Sequence, residues 1–178
     1  MDIDPNTRPD IPGATWIALS KGLWALVDDW LDPPKFYTKT DKKRSTYYGK
    51  RNVDIGDRKY IYFFLHHWVW RQYNSPLPKA IDHINGHGWD NRGCNLRAAT
   101  GSQNQGNRRF SKNNTSGFRG IHWHKRDKVW VAAIGGRWVA SGKDIIKVAK
   151  AWDRAAIKYF GQFVKYKLNF PNENTENF

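Results

Sequence analysis

Three side chains in the middle of this 178-residue chain have the types needed to hydrolyse a phosphodiester: Asp82, His83 and Asn104. A hard divalent cation takes oxygen ligands. One carboxylate (Asp82) and one amide oxygen (Asn104) would leave positions for water and a phosphate. A histidine beside such a cation can take the proton of the attacking water, and His83 is next to Asp82. The segment around them runs from Ala80 to Arg109 and is rich in Asn, Gly and Asp.

The elements that must position these groups follow from local pattern. A short strand ends in Asp82-His83, a Gly/Asn/Asp loop follows, a second strand covers Leu96–Ala99, and a helix comes next. Thr100 and Gln103 have the spacing of a capping box, which sets the helix start at Gly101. Asn104 then lies on its first turn, with Asn107 and Arg108 one turn later on the same face. A strand–loop–strand–helix hairpin of this kind can gather Asp82, His83 and Asn104, although His83 and Asn104 are 21 positions apart.

Asp82-His83-Ile84-Asn85-Gly86, Asp90-Asn91-Arg92, Asn95-Leu96-Arg97 and Gln103-Asn104 resemble the HNH homing endonuclease motif, in the form with Asn at the last position. Upstream, Trp16 to Gly22, Ala25 to Asp29 and Leu65-His66-His67 resemble phage proteins of that group. The resemblance implies that Asp82 and Asn104 ligate one divalent metal, Mg²⁺ with Mn²⁺ as a substitute. It implies also that His83 is the general base and that Asn95 orients it. Arg97, Asn107, Arg108 and Arg109 are candidates for DNA contact beside the site. His87 reads as a loop residue, exposed or facing DNA. His66 and His67 read as packed among aromatics, and Cys94 as a small packing residue.

Downstream, Ser116 to Ile121, Trp130-Val131-Ala132, Ala149 to Ala156 and Leu168-Asn169-Phe170-Pro171 resemble an AP2 domain. That resemblance implies a three-stranded sheet that lies in the major groove. Arg119, His122, His124, Lys125, Trp130, Arg137 and Trp138 would be its DNA-contacting residues. Strand-like runs at Phe118–Trp123, Val129–Ile134 and Trp138–Ala140, then a helix from about Ile145 to Phe160, give the same sheet-plus-helix outline. Asp144 occupies the N-cap position and Gly161 the position after the helix end.

Charge points to the same partner. Lys and Arg number 30 against 16 Asp and Glu, for a formal charge of +14. Residues 1–100 hold 15 basic and 11 acidic side chains, whereas residues 101–170 hold 15 and 3. Such an excess suits a polyanion, because each cation that meets a phosphate releases condensed counterions. The single cysteine excludes an internal disulfide and a multi-cysteine zinc site. No apolar run reaches the ~18 residues of a membrane helix. The acidic start Met1 to Pro5 lacks the order of a signal peptide, so a soluble cytoplasmic protein is expected.

The chain therefore reads as an α+β protein with a tail at 1–15, an HNH endonuclease domain at 16–110 and a linker at 111–116. An AP2-like domain at 117–171 and a second tail at 172–178 complete it. Double-stranded DNA is the expected partner, with no membrane and no small-molecule cofactor, and a monomer is favoured over a dimer. The alternative is a non-catalytic DNA-binding regulator, which would have no need of the Asp82/His83/Asn104 set. An RNA-directed protein fits the charge equally well.

Overall fold

A computed structural model describes residues 3–41, 46–73, 76–106 and 113–173. The chain divides into two compact units, Met1–Thr100 and Gly101–Phe178, each with its own core. Sheets and a few helices make both units α+β.

In the first unit β1 (Ala14–Ala18) and β2 (Trp24–Asp28) form an antiparallel hairpin. Strands β3 (Tyr37–Asp41), β4 (Thr46–Asp54) and β5 (Tyr60–Phe64) form a meander in that order. Helix α1 (Leu65–Tyr73) follows β5 without a loop. Strands β6 (Ala80–His83) and β7 (Leu96–Ala99) pair antiparallel, with Asp82 opposite Arg97 and His83 opposite Leu96. The core joins Ala25 and Val27 of β2, Leu65 and Val69 of α1, Phe36, Ile81 and Leu96. Residues 3–15 are not a loose tail throughout. Trp16 Nε1 donates to the Pro9 carbonyl at 3.0 Å, and the Arg8 guanidinium lies over the Trp24 ring at 4.4 Å.

In the second unit α2 (Gly101–Gly106) starts where the capping pattern sets it. Strands β8 (Ile121–His124), β9 (Val129–Ile134) and β10 (Arg137–Gly142) form an antiparallel sheet with β9 in the middle. Helix α3 (Ile145–Phe160) packs Val148, Ala149, Trp152 and Ala156 against Ile121, Ala132 and Ile134. Asp144 caps α3, its carboxylate accepting from the backbone N–H of Ile146 (2.9 Å) and Lys147 (3.2 Å). Two of the four N–H groups that a helix start leaves without internal partners are satisfied in this way.

Gly120 is the tightest point of this unit. Its φ is +70°, and a Cβ there would land on the pyrrole edge of Trp152. Trp152 cannot retreat without losing its Nε1 bond to the Ala133 carbonyl (3.0 Å), and Ala133 in turn donates to the Gly120 carbonyl (3.0 Å). Gly120→Ala combines left-handed strain of about 1–2 kcal/mol with overpacking of about 1–3 kcal/mol. We expect a loss of about 3 kcal/mol or more in equilibrium denaturation. A loss below about 1 kcal/mol would contradict this packing.

Candidate active site

The β6–β7 hairpin presents Asp82 and His83 at the end of β6, both buried. Cross-strand pairing sets Arg97 against Asp82. Its Nε and Nη2 donate to Asp82 Oδ2 at 2.9 and 2.8 Å, and both side chains are largely withdrawn from solvent. Arg97, expected to touch DNA, is thus bonded to the carboxylate expected to hold metal. Cation and guanidinium would share one acceptor group.

His83 Nε2 lies 3.3 Å from Asn91 Oδ1. If Nε2–H donates to that oxygen, the lone pair sits on Nδ1, which is the tautomer a base requires. Burial pushes the His83 pKa down, and the Asn91 bond and the Asp82 and Asp90 charges oppose that push in part. The imidazole is consequently neutral, and able to accept a proton, at neutral pH.

Asn95, expected to orient His83, is bonded to the turn that follows His83 and to the loop beyond it. Its amide donates to Asn85 Oδ1 (3.0 Å) and the Asp90 carbonyl (2.7 Å), and its Oδ1 accepts from the Asn85 N–H (3.1 Å). Its own carbonyl accepts from Ile84 N–H (2.9 Å), which fixes the turn directly after His83. In that turn Gly86 has φ +76° and donates its N–H to the His83 carbonyl at 2.8 Å.

The rest of the loop is held from outside. Strand β2 donates Leu26 N–H to the Trp89 carbonyl (2.9 Å) and accepts from Asn91 N–H (2.8 Å), so Asn91 is buried against a rigid strand. Asp90, also buried, accepts from Arg92 Nε and Nη2 (2.9 and 2.7 Å) and from Asn85 Nδ2 (2.8 Å). Gly93 N–H reaches Asp28 Oδ2 at 2.8 Å, and Gly88 N–H reaches Thr46 Oγ1 at 3.1 Å. A cleft lined by Asn85, His87, Trp89, Arg92, Cys94 and Asn95 opens on this loop. Cys94 is exposed rather than a packing residue. His87 is half-buried, its ring 5.0 Å from Trp89.

The sequence assigns no role to Asn91 and only a packing role to His66, and both adjoin His83. His66 is the second residue of α1, and its ring meets His83 edge-on at 5.1 Å and stacks on Phe64 at 5.4 Å. The adjacent pair His66-His67 was the visible signal. Burial holds the pKa of His66 well below the ordinary value, helped by His83 and His67, and burial beside Arg71 lowers His67 less. The unfolded chain takes up these protons below about pH 6.5 while the folded chain stays neutral, so stability falls as pH drops. His66 alone contributes a slope of up to about 1.4 kcal/mol per pH unit until its folded pKa is reached. Solvent screening makes the share of half-buried His67 smaller. The melting temperature should fall between pH 7 and 5.5, and the fall should be shallower for His66→Gln. An unchanged melt over that range would contradict the assignment.

Asn104 lies on α2, in the second unit. Asn107, Arg108 and Arg109 lie outside the described residues. On the second-unit sheet, alternation puts His122, His124 and Trp138 on the side away from α3. Trp138 is 68% exposed, while Trp130 stacks edge-on against Trp123 (5.0 Å) and packs on the core. Lys125 and Arg137 are exposed near the strand ends. His124 Nδ1 lies 3.2 Å from the Asp127 carboxylate across the β8–β9 turn. Arg119 points back into its own unit. Its guanidinium donates to the Gly106 carbonyl (3.2 Å), and its N–H donates to Asn169 Oδ1. Burial brings its pKa down to about 10.

Among the described residues no cluster of three His, Cys, Asp or Glu side chains could cage a metal ion.

This hairpin with its flanking helix is the portion of the chain that a family model recognises. Residues 63–105 match the HNH endonuclease family. The chain thus carries an HNH endonuclease domain, a class of nuclease domain that acts with a divalent metal. It is also 34% identical to Protein 3.8 of Escherichia phage T7 over 107 residues, which span 57% of this chain and 88% of that protein. The chain belongs to the family of that phage protein. No solved structure matches it. Among the described residues no helix is long and apolar enough to cross a membrane.

Proposed function

We propose that this protein is a DNA endonuclease that hydrolyses a phosphodiester with His83 as general base and Asp82 as metal ligand. The observation that supports this most is the position of His83, buried next to Asp82 and 3.3 Å from Asn91 Oδ1 within the matched HNH segment. Asn104 as the second ligand rests on motif spacing alone. Asp82 and Asn104 offer only hard oxygens, which favours Mg²⁺, with Mn²⁺ as a substitute. A bound cation would supply positive charge to stabilise the leaving 3′-oxygen. His83 accepts the proton of the attacking water on the nitrogen turned away from Asn91. Asn95 and Asp90 fix the loop that holds Asn91, and Arg97 orients the Asp82 carboxylate.

The second unit is proposed as an AP2-like targeting domain and the whole as a phage homing endonuclease acting as a monomer. The exposed His122 and Trp138 on one face of the second-unit sheet, with exposed Lys125 and Arg137 near the strand ends, support the DNA-contact role, as does the basic excess of residues 101–170. Arg119 and Trp130 would act mainly by holding that sheet in shape. Substrate class is tested by offering duplex DNA and duplex RNA of one sequence with Mg²⁺. Scission of the DNA, with RNA left intact, is expected. Equal scission of both would move the protein to the RNA-directed class.

A further inference from the structure

Beyond Lys50 the first-unit meander narrows to two strands. β3 ends its pairing at Tyr37 opposite Lys50, while β4 and β5 continue together through Arg51–Phe63 to Asp54–Tyr60. This ribbon is exposed on both faces, with Tyr60 56%, Ile61 48% and Tyr62 62% accessible. Its tip is a tight turn in which Lys59 N–H donates to the Gly56 carbonyl (2.9 Å) and Ile55 N–H to the Lys59 carbonyl (3.1 Å). A two-stranded ribbon gains little from its own pairing, and exposed rings on it mark a surface made for contact.

The ribbon's chemistry singles out a polyanion. Lys50, Arg51, Arg58 and Lys59 outnumber Asp54 and Asp57. Among the described residues Arg51, Arg58 and Lys59 enter no ion pair, while Lys50 Nζ lies 3.4 Å over the Tyr62 ring. Alternation puts Tyr60, Tyr62 and Phe64 on one face, with Lys50 directly opposite Phe64. That face leads to the candidate base. Phe64 stacks on His66 at 5.4 Å, His66 meets His83 at 5.1 Å, and Tyr48 lies 6.2 Å from Phe64 and 5.9 Å from His83. Ring contacts therefore run from Phe64, which shares the face of the exposed tyrosines, to His83.

We propose that the β4–β5 ribbon is a DNA-binding arm that seats in a groove of the duplex whose backbone His83 attacks. This rests on the endonuclease reading for its choice of ligand. A two-stranded ribbon fits the B-DNA major groove, which is about 12 Å wide. Tyrosine hydroxyls, Lys50, Arg51 and the tip cations would meet phosphates and sugars, which position a protein without reading sequence. The arm is separate from the second-unit sheet and supplies the first unit with its own hold on substrate.

The test is the affinity of the full chain for a 30-base-pair duplex of arbitrary sequence, measured by fluorescence anisotropy in EDTA, where no cutting is needed. Tyr60→Ala with Tyr62→Ala should weaken binding about tenfold. Arg51→Gln with Lys59→Gln should lower the log–log salt slope by about 1.8, at about 0.9 per lost phosphate contact. These side chains lie outside both cores, so circular dichroism and melting should match the parent. If the tyrosine pair melts early, the Arg51/Lys59 pair decides. Unchanged affinity and slope would overturn the arm, as would a parent that binds no duplex, or a tyrosine variant that loses only self-association in sedimentation. The endonuclease reading is scored separately by plasmid nicking. Arm variants that bind as the parent does while the parent nicks would sink the arm alone. Weakened binding in a protein that never nicks would leave the arm standing and the nuclease reading refuted.

Discussion

Asp82→Asn should reduce cleavage by about 10³-fold or more with every divalent cation offered. An amide keeps the shape of the side chain but removes the charge that a hard cation requires. A few kcal/mol of lost transition-state charge stabilisation corresponds to that factor, at about 1.4 kcal/mol per tenfold. The substitution also strips Arg97 of its charged acceptor, and a hydrogen bond to a charged group contributes about 1.5–3 kcal/mol. Some stability is therefore lost as well, and the melt must be recorded beside the rate. Arg97→Gln breaks the same pair from the other side and keeps the carboxylate. Its melt should fall by a similar amount while its cleavage falls far less. Metal-dependent cutting by Asp82→Asn at the parent rate would remove Asp82 from the site.

His83→Ala should slow cleavage by about 10²–10⁴-fold, the usual cost of removing a general base, with DNA affinity within a few-fold of the parent. His83 is buried, so it adds little to a binding surface. Asn91→Leu offers a graded companion. It keeps the base but removes the bond at 3.3 Å that selects its tautomer, and a loss of about 10–100-fold fits an orienting partner of this kind. Single-turnover rates for the two variants should rank in that order. A loss in Asn91→Leu well above about 100-fold would contradict a merely orienting role for Asn91.

Much of this was legible in the chain because it depends on local chemistry. The strand ending in Asp82-His83, the helix start at Gly101 and the Asp144 cap all follow from neighbours a few residues apart. What could not be read depends on distant partners or on register. Arg97 meets Asp82 because β6 and β7 pair in one particular register, and the loop between them does not declare it. Asn91, rather than Asn95, touches His83 because β2, more than sixty residues earlier, grips Trp89 and Asn91 through Leu26. Arg119 turns inward because its backbone is bonded to Asn169, fifty residues away. Trp138 is bare because β10 pairs it with Ala133 on the face away from α3, while Trp130, opposite Trp123, sits on the core. Alternation alone gives no such choice among tryptophans.

The most direct test of the central claim is the fate of supercoiled plasmid incubated with the purified chain in Mg²⁺ or in EDTA, beside His83→Ala in Mg²⁺. A metal-dependent nuclease centred on His83 predicts open-circular or linear DNA with the parent in Mg²⁺ only. EDTA and the variant should leave the plasmid supercoiled over the same time. Plasmid that stays supercoiled with the parent in Mg²⁺, although the protein demonstrably binds it, would contradict the account and identify a non-catalytic DNA-binding protein.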